Sequence, residues 1–264
     1  MIVIESVNNQ KIIEIQKLQN KKERTIQQKF IVEGYHLVEE AKKHNLLEYI
    51  LTTNKNDFKK FDVDGYLVND KIIKKLSTTV NAQEIIGIVK IPQYNINYKQ
   101  IKRIVLLDNV NDPGNLGTII RTSAALGIDA VITSLDTVDI YNEKVIRATQ
   151  GSIFKIPVLK DNLENTISIL KKNNISIYGT SLDTNTYITD IKQLDKYAVI
   201  FGNEANGVRK EINDLVDKKF KIEMQNDVES LNVAVACAIV IYHFNKLNLY
   251  CPLCCLNTIY RVYM

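Results

Sequence analysis

DNVNDPGNLGTIIRT, residues 108–122, decides the fold class. It continues the run IVLLD at 104–108, whose aliphatic and β-branched residues predict a buried strand. Asp112-Pro113-Gly114 is a turn signal, and Asn115 is placed to cap the next helix. Leu116, Ile119, Ile120 and Ala124 mark the core face of that helix, over 116–126. Strand, tight turn, helix is how α/β proteins build small-molecule sites at strand ends. Arg121 is the odd member. A guanidinium one turn into an apolar helix either snorkels to solvent or clamps a phosphate near the strand ends.

Two further blocks repeat this grammar. FGNEANGVRKEI, residues 201–212, ends a strand at 198–201. Gly202 lets backbone approach a ligand, and Gly207 opens the next helix. Glu204 either faces a ligand at the strand's C-terminal end or compensates the dipole of that helix. IEMQNDVESLNVAVACAIVIYH, residues 222–243, leads into a terminal helix expected over about 229–245. Ser230 and Asn232 can cap that helix or aim a hydroxyl and an amide at a cofactor, and the residues leave both readings open. The helix is apolar nearly all round, so it is expected to be buried, with an oligomer interface as one way to do so.

Working outward, further strands are expected at 130–133, 153–157, 175–180 and 220–223, with helices between them. This alternation predicts an α/β fold with a parallel sheet covered on both faces. The N-terminal third reads as a separate small α/β unit. It has an amphipathic helix over 9–28 broken near Lys21, a strand at 30–34, a helix at 35–44, and strands at 49–53, 66–68 and 85–91. The polar stretch PQYNINYKQ at 92–100 is the linker. The division is therefore 1–94, 101–247 and a Cys-containing tail at 248–264.

A hydrophobic content of 45% and a charged content of 24% are those of a soluble globular protein. The formal net charge of +4 sits in the first 100 residues, where 15 Lys and 1 Arg face 12 acidic residues. Lys11, Lys17, Lys21, Lys22, Arg24 and Lys29 form a basic cluster of the kind that binds phosphate, or a solvated helix face. The start MIVIESVNNQ lacks a secretory leader, and the longest apolar run, 233–242, is too short to span a bilayer. Cys237, Cys251, Cys254 and Cys255 show no secretory disulfide pattern, so a reducing cytoplasm is expected. Cys251-Pro-Leu-Cys254 is half a zinc site without a second half, and no metal is expected.

Taken in order and spacing, the three blocks resemble the signature motifs of the SpoU/TrmH family, RNA ribose 2′-O-methyltransferases. The resemblance covers roughly 101–247. It implies a C-terminal trefoil knot that binds S-adenosylmethionine. It implies cofactor contact through the backbone of Gly202, Ile222 and Leu231, with Thr180, Met224, Ser230 and Asn232 lining the same pocket. Asn115, Arg121 and Glu204 would surround the ribose. The stretches IIEIQKLQNKKER, FIVEGYHLVEEA and KKLSTTVNAQEIIGIVK resemble the family's ribosomal-protein-like substrate-binding domain. The resemblance further implies an RNA partner and a homodimer. Ribosomal RNA is favoured over transfer RNA because this two-domain layout recurs among ribosomal RNA enzymes. The chain departs from the family pattern where Glu223 replaces a Pro and Asn226 a Gly. Those departures keep a second reading in view, a non-catalytic RNA-binding assembly factor that retains the fold. Asn tolerates the left-handed backbone a Gly would supply.

Overall fold

A computed structural model describes residues 2–181, 184–192, 194–226 and 230–245. The tail at 248–264, with Cys251, Cys254 and Cys255, lies outside them. Two sheets organise the chain. The first is mixed, in the order β1-β4-β3-β5-β2, from β1 (Ile2–Ile4), β2 (Lys29–Glu33), β3 (Leu47–Thr52), β4 (Gly65–Val68) and β5 (Ile85–Lys90). Its helices are α1 (Gln10–Lys17), α2 (Lys21–Gln27), α3 (Tyr35–Lys43), α4 (Asn56–Phe61) and α5 (Asp70–Leu76). The break near Lys21 separates α1 from α2, and Asn20 caps the second of them. The sequence reading missed β1, α4 and α5, all too short to show a period.

The second sheet has six parallel strands in the order β11-β9-β10-β6-β7-β8. They are β6 (Arg103–Leu107), β7 (Ala130–Thr133), β8 (Val158–Lys160), β9 (Ser176–Thr180), β10 (Tyr197–Phe201) and β11 (Lys218–Phe220). Helices α6 (Pro113–Ala125), α7 (Glu143–Thr149), α8 (Leu163–Lys172), α9 (Lys210–Asn213) and α10 (Val233–Asn245) join or follow them. Successive strand residues face opposite ways, so an unbroken apolar run needs cover on both sides. Ile104 and Leu106 of β6 pack with Leu163, Ile167 and Leu170 of α8, whereas Val105 and Leu107 pack with α6 and α10. The strand order reverses between β6 and β10, which puts the expected ligand crevice at their C-terminal ends.

Several expectations need correction. Residues 153–157 are not a strand. Gly151 turns at φ +81°, Ser152–Phe154 is a 3-10 turn, and β8 starts only after Pro157, which lacks an amide donor. The apolar residues there face the N-terminal unit instead: Phe154 stacks 6.2 Å from Phe30. Asn115 is not the cap of α6. Asp112 is, its carboxylate accepting from the Asn115 amide at 2.7 Å, and Pro113 takes the first turn, where its missing N–H costs nothing. The last strand ends at Phe220 rather than 223, because the Lys221 amide and carbonyl pair with Thr186 and Ile188. The last helix begins at Val233, and it is not buried all round. Phe244 packs among Tyr178, Tyr197 and Phe220, but Val235, Ile239 and Tyr242 are 49%, 40% and 53% exposed. Their i, i+4, i+7 spacing makes one apolar stripe.

Candidate active site

A cleft of about 720 Å³ opens at the C-terminal ends of β9, β10 and β11 and the start of α10. That volume suits a nucleoside-sized ligand. All five residues expected to hold a cofactor line it: Thr180, Gly202, Ile222, Met224 and Leu231. So do Glu204, Ser230 and Asn232. Ile222 and Met224 are free to do so because β11 stops before them.

Asn115 joins the group through hydrogen bonds. Its Nδ2 donates to Glu204 Oε1 at 2.9 Å, and its Oδ1 accepts from Asn232 Nδ2 at 2.9 Å. Asn232 Oδ1 then accepts from the Ala234 amide at 2.9 Å, capping α10. Each amide orientation follows from the one before. A carboxylate only accepts, so Asn115 must turn its NH₂ to Glu204 and its oxygen to Asn232. Asn232 must in turn present its oxygen to the helix. Capping and site-building, left as alternatives by the sequence, are the two ends of one amide.

Glu204 sits under opposing influences. Burial raises its pKa, but hydrogen bonds from Asn115 and from the backbone of Glu204, Asn111 and Asp112 outweigh it and hold the carboxyl below its ordinary value. It is an anion at neutral pH. Arg121 is elsewhere. It lies six residues along α6 from Asn115, about 9 Å of helix. It is exposed, does not line the cleft, and has no acidic partner among the described residues.

The glycine loop after β10 is built differently from the sequence expectation. A Cβ on Gly202 would lie 2.1 Å from the Gly207 carbonyl carbon, so Gly202 is required by the loop's own return. Asn203 and Gly207 exchange two backbone hydrogen bonds of 2.9 Å, and Gly207 closes the loop at φ +67° instead of opening a helix. Sequence reading also missed the anchors. Buried Asp108 receives the Arg209 backbone amide, Nε and Nη2 at 2.8, 2.8 and 2.7 Å. Asn203 Nδ2 donates to the Asn109 carbonyl at 2.8 Å. The one signal in the sequence was a charged residue closing an apolar strand. No spacing rule links partners about a hundred residues apart.

The two departures are accommodated. Asn226 adopts φ +60°, the conformation a Gly would supply, and Glu223 is exposed and outside the cleft lining. Apolar Ile222, Met224 and Leu231 beside Thr180 and Ser230 form a donor set and an apolar wall that fit a nucleoside sulfonium such as S-adenosylmethionine.

Comparison with known proteins agrees. The model of the SpoU rRNA Methylase family matches residues 102–242, and that of the MRM3-like substrate binding domain matches residues 9–87. The 23S rRNA (guanosine(2553)-2′-O)-methyltransferase RlmP of Bacillus subtilis (strain 168) is 37% identical over 244 residues, 91% of this chain and 98% of that protein. The crystal structure of an AdoMet-bound rRNA methyltransferase from Sinorhizobium meliloti superposes with a TM-score of 0.83 at 28% identity, covering 93% of this chain and 98% of that one. An RNA 2′-O ribose methyltransferase structure gives a TM-score of 0.78 at 25% identity over 94% of this chain. The chain belongs to the SpoU rRNA methylase family of S-adenosylmethionine-dependent RNA ribose 2′-O-methyltransferases.

Proposed function

We propose that this protein methylates the ribose 2′-hydroxyl of a nucleotide in ribosomal RNA. The observation that carries the reading is the Glu204–Asn115–Asn232 hydrogen-bond chain on the rim of the cleft. The backbone of Gly202, Ile222 and Leu231, with Thr180, Met224 and Ser230, would hold the cofactor. When bound, S-adenosylmethionine supplies a methyl group already activated on a sulfonium. The protein's task is therefore mostly positioning. Glu204 fixes Asn115, Asn115 fixes Asn232, and these polar groups orient the sugar beside the cleft. Arg121 acts as a fixed cation for an RNA phosphate and for the oxyanion that develops on the ribose. A substrate phosphate accepts the hydroxyl proton.

The likeness to RlmP across nearly the whole chain favours ribosomal over transfer RNA. The chain divides into 1–94 for RNA binding and 101–247 for catalysis, a reading supported by the matches at residues 9–87 and 102–242. The C-terminal part of the catalytic unit carries the family's trefoil knot. The Val235–Ile239–Tyr242 stripe is the seam of a homodimer. Among the described residues no helix is long and apolar enough to cross a membrane. The test is transfer of radiolabelled methyl from S-adenosylmethionine to ribosomal RNA from cells lacking the gene. No incorporation into RNA that still accepts methyl from RlmP would overturn the assignment.

A further inference from the structure

The N-terminal unit touches the catalytic one through more than the linker. Helix α2 carries Lys21 and Lys22 on its exposed side and Arg24 on its buried side, where Arg24 is 5% exposed. Arg24 Nη1 donates to the Leu18 and Gln19 carbonyls, each at 2.8 Å, which fixes the guanidinium to its own unit. Its Nη2 pairs with Asp139 of the other unit. Asp139 belongs to the 134–142 loop, between β7 and α7, and Tyr141 of that loop lies 4.8 Å from Phe30.

The other end of this loop supports the catalytic turn. Ser134 Oγ accepts from the Asn109 amide at 2.9 Å, and the Val138 amide donates to the Val110 carbonyl at 3.0 Å. Ser134 and Thr137 are 2% and 3% exposed, and their hydroxyls lie 3.1 Å apart. Asn109 stands at φ +57°, a conformation its neighbours must hold in place. Its carbonyl accepts from Asn203, the residue before Glu204. Asp136 adds a contact to Arg209 at 3.7 Å, and Arg209 grips Asp108.

We infer that the 134–142 loop is a strut. It carries the position of the RNA-binding helix α2 to the turn that holds Asn109, Asn203 and Glu204. Arg24 and Asp139 are then positioning residues, at the joint of the strut. The inference rests on reading the cleft as the methyl-transfer site, but its first test does not need turnover. The second ion pair between the units, Glu40 with Lys155 at 3.3 Å, makes no contact with the loop and serves as the control.

The experiment is hydrogen exchange on the full-length protein, following the Asn109 and Val138 amides. Arg24→Met should accelerate both by about tenfold or more, because it frees the strut while the sheet beneath stays folded. Lys155→Met should leave them within about twofold of wild type. Equal acceleration by Lys155→Met, or unchanged amides in folded Arg24→Met, would overturn the strut. Asp139→Asn probes the same joint with less change of shape, should Arg24→Met fail to fold. In turnover assays, Asp139→Asn should lower kcat about tenfold at saturating RNA, with cofactor affinity unchanged. A loss confined to KM for RNA would sink the inference. A wild-type protein that transfers no methyl would refute the proposed function, while the exchange result still decides on the strut.

Discussion

Replacing Gly202 by Ala should disable the cleft without unfolding the protein. The new Cβ would stand 2.1 Å from the Gly207 carbonyl carbon, 2.2 Å from the Val208 nitrogen and 2.3 Å from the Gly207 oxygen. Optimal contact is about 3.5 Å, so backbone must retreat by roughly 1.4 Å. No side chain is available to give way. The retreat breaks the two hydrogen bonds between Asn203 and Gly207, about 1 kcal/mol each. Overpacking adds about 1–3 kcal/mol. Roughly 4 kcal/mol taken from the ligand-ready loop lowers cofactor affinity by two to three powers of ten. Gly207→Ala is the internal comparison. Nothing lies within 4 Å of its Cβ, and only the left-handed φ of +67° opposes it. That costs about 1–2 kcal/mol, or roughly tenfold in affinity. Calorimetric titration of full-length variants with S-adenosylmethionine measures both, with melting curves as a check on folding. A Gly202→Ala protein that binds within about threefold of wild type, or more tightly than Gly207→Ala, refutes the steric account.

Arg121→Ala should reduce methyl transfer by about 10²-fold or more with cofactor affinity intact, because the side chain lies outside the cleft; near-normal turnover would end its assigned role. Placing Ser at Val235, Ile239 and Tyr242 together should yield monomers in light scattering, whereas unchanged mass would move the dimer seam elsewhere. The Glu204 carboxyl has a lowered folded-state pKa, so its stabilising contribution is complete above the unfolded value of about 4.3 and is lost as pH falls through the folded value. The difference in Tm between wild type and Glu204→Gln should therefore be widest near neutral pH and close on acidification; a difference that grows toward acid contradicts the assignment. Asp108→Asn should lower Tm and loosen residues 202–208 together, since one of the two oxygens that accept from Arg209 becomes an NH₂ donor and the guanidinium loses its buried counter-charge. Unchanged exchange in that loop would show that the pair does not anchor it.

The layered sheet was legible because periodicity and turn chemistry are local. IVLLD and YAVIF are unbroken apolar runs, which only strands covered on both faces can bury. The Asp-Pro-Gly turn and the Gly-Asn-rich loops announced where the strands ended. Those same local rules misjudged residues 153–157, where an apolar run serves the packing of the two units instead of a sheet. They left open what covers the outer face of α10, because composition counts apolar residues without saying which side a neighbour covers.

Chemistry-bearing residue types at Asn115, Glu204, Ser230 and Asn232 could be named from the chain alone, because each sits beside a strand end or a turn, whereas Thr180, Ile222, Met224 and Leu231 were named only through the resemblance to the family. What each does could not be read there. Asn115 proved to be a link between a carboxylate and a second amide, and Gly202 proved to serve the loop's closure. Asp108 with Arg209, Asn109 with Asn203, and Arg24 with Asp139 are pairs about a hundred residues apart. Residue spacing constrains neighbours along one helix or strand. Which distant side chains share a proton or a charge is settled only when the strand order brings their elements together.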